Sequence, residues 1–246
     1  MKRWKGTVAY DGSGFSGWQS QPGGNTIQDF LEARLGEILR RPVRIHGSGR
    51  TDSGVHAKRQ IFHFDADWEH PHGHLARALR SGLPEGIQVA SITRVSKRFH
   101  ARYSATGKRY VYNVFEGHAP PMKTRYCLSL GTRKLDVARM ESAAGQLEGR
   151  HDFTAFAAER GDGGSENPVK DLREIRISRR GRRVRLVFVA SGFLYKMARR
   201  LTGALLDVGT GKLGVAELID VLESCERTAL IVTAPARGLC LDRVFY

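Results

Sequence analysis

The sequence predicts an α+β protein made of two ferredoxin-like (split βαβ) halves, each placing helices over a mostly antiparallel sheet. Three observations point there. Strand-like runs alternate with amphipathic helical runs, the order β-α-β-β-α-β of the first half recurs in the second, and 246 residues with 41% apolar content can supply two ordinary cores. The halves are expected at residues 1–104 and 105–246, with their sheets side by side around a central cleft.

The first half opens with the strand-like WKGTVAY. Thr26 then caps a helix in TIQDFLEARLGEILRR, where Ile27, Phe30, Leu31, Leu35 and Ile38 fall at helical spacing. A short strand VRIHG, the loop GSGRTDSGVHA and a strand RQIFHFDAD follow, then a helix near 73–82 and a strand IQVASITRV. The second half begins with the strand RYVYNVF. Asp136 precedes a helix with Val137, Met140, Ala144 and Leu147 on one face, and LREIRIS and RRVRLVFVA form a hairpin turned at Arg180 and Gly181. Finally SGFLYKMARRLTGALLDVG reads as a helix capped by Ser191, with Leu194, Met197, Leu201, Leu205 and Val208 as its buried stripe.

Forty Lys and Arg against 25 Asp and Glu leave a net charge of +15, spread along the whole chain. Such an excess attracts polyanions, of which nucleic acid is the commonest soluble one. Cys127, Cys225 and Cys240 are odd in number and far apart, which argues against a disulfide framework and a zinc site and favours a reducing compartment. No apolar run is long enough for a signal core or a membrane span, so a cytoplasmic protein is expected.

Gly12, Gly14 and Gly17 spell G-x-G-x-x-G directly after a strand. The fingerprint requires a helix to open at its last glycine, and WQSQPGGN denies one, so no dinucleotide site is expected. What remains is a loop bearing Phe15 and Trp18, either a local apolar staple or a surface for nucleotide bases. GTGKLG at 209–214 fails as a P-loop, because Lys212 is followed by Leu213 rather than Ser or Thr. His70, His72 and His74 in EHPHGH lack the i, i+4 spacing of helical metal ligands, and DAD at 65–67 lacks supporting ligands, so no metal is expected.

The loop GSGRTDSGVHA is the most unusual stretch. Gly47, Gly49 and Gly54 clear space on both sides of Arg50 and Asp52, Thr51 and Ser53 add hydroxyls, and Arg50 is a cation able to keep a neighbouring carboxylate ionised. The same T-D-S-G is also ordinary turn chemistry.

GRTDSGVHA resembles the catalytic signature of tRNA pseudouridine synthases of the TruA family, and the resemblance extends over nearly the whole chain. It is carried by YDGSGFSGWQ with Gln28, FHARYSATGKRYVY, GRHDFTAF, SGFLYKMARRLTGALLDVGTG and APARGLCLDRVFY. It implies the pseudouridine synthase fold, a homodimer, no metal or organic cofactor, and isomerisation of uridine to pseudouridine at positions 38 to 40 of the tRNA anticodon stem-loop. By the same likeness Asp52 is the nucleophile, and Arg50 fills the space left when the target nucleotide leaves the stack. Tyr110 stacks on the target base, Arg199 pairs with the catalytic carboxylate across the cleft, and Leu239 walls the uracil pocket. Lys196 and Arg200 read as phosphate contacts on one helix face. The chain departs from the family in M-A-R-R, where Ala198 and Arg200 replace Val and Asn, and in ALRSGLP, where Arg80 replaces Asn. Two rivals are a non-catalytic RNA-binding protein or chaperone of the same fold, and a pyridine-nucleotide oxidoreductase, which the missing helix after Gly17 disfavours.

Overall fold

The structure is a computed structural model that describes residues 1–159 and 167–246, apart from the side chain of His72. The chain divides into two compact units, Met1–Thr106 with Cys240–Tyr246, and Gly107–Leu239.

In the first unit β1 (Lys2–Tyr10) alternates buried and half-exposed residues, so Trp4, Val8 and Tyr10 face one side. Helix α1 (Ile27–Leu39) begins at a full capping box, in which Asp29 N–H donates to Thr26 Oγ1 and the Asp29 carboxylate accepts from Thr26 N–H. Its Ile27, Leu31 and Leu35 are fully buried. Then come β2 (His46–Gly47), β3 (His56–Ala66), α2 (His72–Arg80) and β4 (Ile87–Val95). The expected strand at VRIHG therefore shrinks to two residues, because Val43 and Ile45 enter the core from an irregular segment. β1 pairs antiparallel with both β3 and β4, and β2 pairs antiparallel with β3. The order β4-β1-β3-β2 is that of a split βαβ unit. Helix α2 ends on Arg77 and Arg80, cations suited to the negative end of the helix dipole, and Arg80 Nε donates to Ala76 O at 3.2 Å.

In the second unit β5 (Gly107–Phe115) leads to α3 (Pro121–Thr124), β6 (Leu128–Ser129), α4 (Val137–Leu147) and β7 (Gly149–Asp152). Asp136 caps α4 through Arg139 N–H, and Met140, Ala143, Ala144 and Leu147 are its buried face. The hairpin follows as β8 (Val169–Arg180) and β9 (Arg183–Ala190), with Gly181 in the left-handed region at φ 56°. Next are α5 (Met197–Gly209), α6 (Val215–Ser224) and β10 (Leu239–Phe245). Within this unit the strands run β5-β9-β8-β7, all antiparallel, with β6 parallel to β5. Among the hairpin arginines Arg179 bonds to the buried Glu116 at 2.9 Å and is therefore a strut of this unit.

Two further expectations are corrected, and one helix is new. The last strand clusters with the first unit, because Cys240 and Leu241 pair in parallel with His56 and Ala57 of β3, whereas it was expected in the second. The helix expected from Ser191 begins at Met197, since Ser191 Oγ instead accepts from Asp171 N–H at 3.0 Å and its N–H donates to Asp171 O. Helix α6 was not foreseen, although Gly214 and Glu217 form its N-terminal hydrogen bond.

Candidate active site

The candidate residues fall in both units. The first holds the loop between β2 and β3, with Arg50 exposed and Asp52 half-buried. Almost every neighbour of Asp52 is tied down. Ser48 Oγ donates to Gln60 Oε1 at 2.5 Å, and Gln60 Nε2 donates to Gly49 O at 2.9 Å. Gln60 is fully buried on β3, so its amide is committed to the loop. Tyr10 Oη and Thr51 Oγ1 share a buried hydrogen bond of 2.7 Å. Trp18 N–H donates to Thr51 O at 3.0 Å, Ser53 Oγ to Phe15 O at 3.2 Å, and Val55 N–H to Asp52 O at 3.1 Å. Asp52 is thereby presented from a turn whose backbone has little freedom to drift.

The glycine fingerprint gains its explanation here. A Cβ on Gly12 would lie 2.1 Å from Val55 O, and one on Gly17, at φ 88°, would lie 2.7 Å from Thr51 O. These glycines let the 12–18 loop pass directly beneath the Asp52 turn; they hold a loop, not a cofactor. Of the two readings of the aromatics, the apolar staple holds. Trp18 is only 2% exposed, with its ring 6.1 Å from Tyr10 and 6.5 Å from Phe62, and Phe15 meets Phe30 edge-on at 5.6 Å. Such a buried Trp contributes roughly 3–5 kcal/mol. At the far end of the turn, His56 Nδ1 accepts from Gly12 N–H at 3.1 Å. Asp11 Oδ1 also lies 3.2 Å from that nitrogen, and it gains a true ion pair only when the imidazole is protonated.

Arg50 reaches sideways, donating from Nε to Gln19 Oε1 at 3.2 Å.

In the second unit Tyr110 sits in the middle of β5, 8% exposed, with its ring edge-on to Phe193 at 4.9 Å. Tyr112, two residues on, is a core residue whose hydroxyl donates to Pro235 O at 2.9 Å, and burial pushes its pKa up. Leu239 is 4% exposed and follows the short turn Ala236–Gly238. The start of α5 carries the other candidates. Arg199 Nε donates to Ala234 O at 2.7 Å, while Ala234 N–H donates back to Arg199 O at 3.1 Å. The first turn of α5 is thus fastened to the segment before Pro235.

Lys196 is not on the helix face expected for it. It is the N-cap residue, in the left-handed region at φ 58°, with no side-chain cap, and its ammonium lies 5.0 Å from the Tyr195 ring centroid. A non-glycine residue there costs about 1–2 kcal/mol. Arg200 also differs from its expected role: Nη2 donates to Ala155 O at 3.2 Å and to Thr228 O at 3.0 Å, which turns the guanidinium inward. Its Nε is buried without a partner, and burial beside Arg227 lowers its pKa. Arg200 ties the GRHDFTAF turn to the 228 segment, so its bonding is that of a strut and not of a phosphate contact.

Three cations, Lys196, Arg199 and Arg200, therefore crowd the positive end of one helix dipole. Positive charge at a helix N-terminus is locally unfavourable.

Sequence reasoning missed Tyr10, Trp18 and Gln60 as supports of the Asp52 turn. A glutamine amid the apolar run of β3 was the available signal, because a buried amide needs partners. Burial raises the thiol of Cys240 to about 11 and also raises that of Cys127, so neither is a ready nucleophile. His70 and His74 are exposed, the side chain of His72 lies outside the described residues, and no group of three His, Cys, Asp or Glu among the described residues is arranged to hold a metal. Nor is any helix among them long and apolar enough to cross a membrane.

Comparison with known proteins addresses the whole chain. A family model described as tRNA pseudouridine synthase matches residues 7–104 and 143–246. The chain is 38% identical to tRNA pseudouridine synthase A 2 of Clostridium perfringens over 246 residues, covering all of both. It is 40% identical to tRNA pseudouridine synthase A of Oceanobacillus iheyensis, covering all of this chain and 97% of that protein. With the Bacillus licheniformis enzyme of the same name it shares 41% identity over 99% of each. Full-length similarity at this level, over the segments that build the Asp52 turn, β5 and α5, makes this chain a member of the tRNA pseudouridine synthase family.

Proposed function

We propose that this protein isomerises uridine to pseudouridine in tRNA, at positions 38 to 40 of the anticodon stem-loop, with Asp52 as nucleophile. The observation that carries the reading is the Asp52 turn: a half-buried carboxylate on a loop fixed by buried bonds from Tyr10, Gln60 and Trp18, in a chain of net charge +15.

The chemistry needs no external oxidant or reductant, because substrate and product are isomers. A carboxylate oxygen of Asp52 bonds to the sugar or to the uracil ring as the bond from N1 to the ribose C1′ breaks. The freed uracil turns, its C5 bonds to C1′, and the carboxylate is released. The proton on C5 leaves and N1 regains one, which restores the aromatic ring and the starting enzyme. Arg50 takes the place vacated by the everted nucleotide, and Tyr110 stacks on the base. Arg199 pairs with the carboxylate, and Leu239 bounds the uracil. Lys196 contacts phosphate; Arg200 contributes through the structure. The working unit is a homodimer acting in the cytoplasm, where tRNA is found, without metal or organic cofactor.

The test is to incubate purified protein with transcribed tRNA and map pseudouridine. Product at one or more of positions 38 to 40, lost in Asp52→Asn with tRNA binding kept, is the expected result. tRNA binding with no product from the wild type would support the non-catalytic RNA-binding rival instead. A monomeric mass in solution by light scattering would remove the dimer from the reading.

A further inference from the structure

A second basic feature of the first unit has no part in the chemistry above. A cavity of ≈ 270 Å³ is lined by Arg3, Arg41, Arg44, His46, His63 and Asp65. Its charges do not cancel. Asp65 is occupied by Arg3, whose Nε and Nη2 each lie 2.8 Å from a carboxylate oxygen. Arg44 reaches Glu32 at 3.2 Å, but Glu32 also accepts from Ile45 N–H and from Gln28. Arg41 meets only Met1 Sδ and Asp65 O, and no carboxylate among the described residues. At least one guanidinium thus faces this cavity without a counter-charge.

His63 adds a neutral donor. Its Nδ1 accepts from Ala101 N–H at 3.1 Å, which places the ring proton of the neutral form on Nε2. Burial, reinforced by His100 and Arg3, lowers its pKa to about 4, so the ring is uncharged at pH 7. That Nε2–H makes no hydrogen bond to a described residue.

The rings continue outward from the cavity wall. His46 stacks on His63 at 5.0 Å, His63 meets His100 at 4.6 Å, and His100 lies 4.3 Å from Tyr103. Tyr103 is 78% exposed, yet it is held in place by its N–H on His100 Nδ1 at 3.3 Å and by the Arg102 guanidinium 5.9 Å from its ring centroid. A fixed, solvent-facing aromatic one ring away from a cationic cavity combines the two elements with which proteins hold unpaired nucleotides: a base platform and a phosphate site.

We propose that this cavity holds a backbone phosphate of the bound tRNA and that Tyr103 stacks on a base of the adjoining nucleotide. The assignment rests on the reading that RNA is the substrate, and it adds a contact which positions the tRNA without touching the reacting uridine.

The test measures tRNA affinity across a salt series for the wild type, Arg41→Ala, Arg41→Lys and Tyr103→Ala, with the thermal midpoint recorded for each. Both sites are surface-accessible, so the fold is expected to survive. Arg41→Ala should weaken binding several-fold and lower the slope of log K against log salt by about one, with Arg41→Lys restoring the slope. Tyr103→Ala should weaken binding by roughly tenfold with an unchanged slope. The rate of pseudouridine formation at saturating tRNA should stay within about twofold of the wild type in every variant. Wild-type affinity and slope in both Arg41→Ala and Tyr103→Ala would overturn the proposal. So would a cavity that takes up inorganic phosphate, seen as a shift of the His46 ring signals abolished by Arg41→Ala, while tRNA binding is untouched; a free anion would then be its ligand. Failure of the isomerase reading would show separately, as absence of pseudouridine with the wild type at any affinity.

Discussion

The Asp52 turn and the start of α5 both carry expected site residues, and they are built in opposite ways. Around Asp52 the local interactions agree: two glycines clear the path of the 12–18 loop, and buried bonds from Tyr10, Gln60 and Trp18 fix the backbone. At α5 they conflict. A lysine occupies the left-handed region, no side chain caps the helix, and three cations sit at its positive end. The first arrangement holds the Asp52 carboxylate in one place. The second keeps a strained backbone at Lys196 among clustered cations, so under the proposed function Asp52 and Lys196 divide chemistry from affinity.

The largest expected effect separates those two roles. Asp52→Asn should lower the rate of pseudouridine formation by on the order of 10⁴-fold or more while leaving tRNA affinity within about twofold. Appreciable turnover would break the comparison at its first term. Next, Tyr10→Phe leaves the buried Thr51 hydroxyl without its partner and should cost about 1–2 kcal/mol in urea unfolding, with a fall in kcat at unchanged KM. A change in KM alone would show that the turn is not what Tyr10 supports. Lys196→Gly should do the reverse of Tyr10→Phe, stabilising the protein by about 1 kcal/mol as the left-handed strain is removed. It should also weaken tRNA binding and reduce its salt slope by about one. Loss of stability in that variant would refute the strain argument.

The smallest effect at neutral pH concerns His63 of β3. Its folded pKa of about 4 lies below its ordinary value of 6.5, so below pH 6.5 the unfolded chain binds a proton that the native one refuses. Stability should be level above about pH 6.5 and decline as the pH falls toward 4, with His63→Gln flattening part of the decline. His100, whose pKa is also lowered, should account for part of the remainder. A urea midpoint independent of pH across that window would show that the buried imidazole is freely protonated.

Much of this was legible in the sequence because it depends on period and punctuation. Thr26 marks the start of a helix, Gly181 marks a hairpin, and WKGTVAY marks a strand; each appears as read, and the structure adds that Asp29 completes a capping box. What was hidden depends on partners distant in the chain. Lysine carries no signal for a left-handed N-cap, so the start of α5 was placed at Ser191, whose hydroxyl binds β8 instead. Arg200 shares helical spacing with any surface cation, and only the carbonyls of Ala155 and Thr228 reveal that it turns inward. Trp18 read equally well as a staple or a base platform, because burial by Tyr10 and Phe62 is a tertiary fact. The motif GRTDSGVHA located the Asp52 turn, but the residues that brace it lie outside the motif, at Tyr10, Trp18 and Gln60.

The return of β10 to the first unit bears on how the chain is made. Cys240 and Leu241 hydrogen-bond along β3, Thr106 N–H donates to Phe245 O at 2.9 Å, and Tyr246 Oη donates to Ala101 O at 2.7 Å. A ribosome that has finished residues 1–106 has therefore not yet supplied a strand that this unit needs. Because domains otherwise tend to fold in order of synthesis, the first unit is expected to wait, with the His56–Ala57 end of the β3 edge uncovered, until all of residues 107–239 have emerged. Nascent chains arrested just before Cys240 should accordingly be cut within residues 1–106 by a protease that spares the released protein; equal resistance in both would show that the strand is added to a unit already formed.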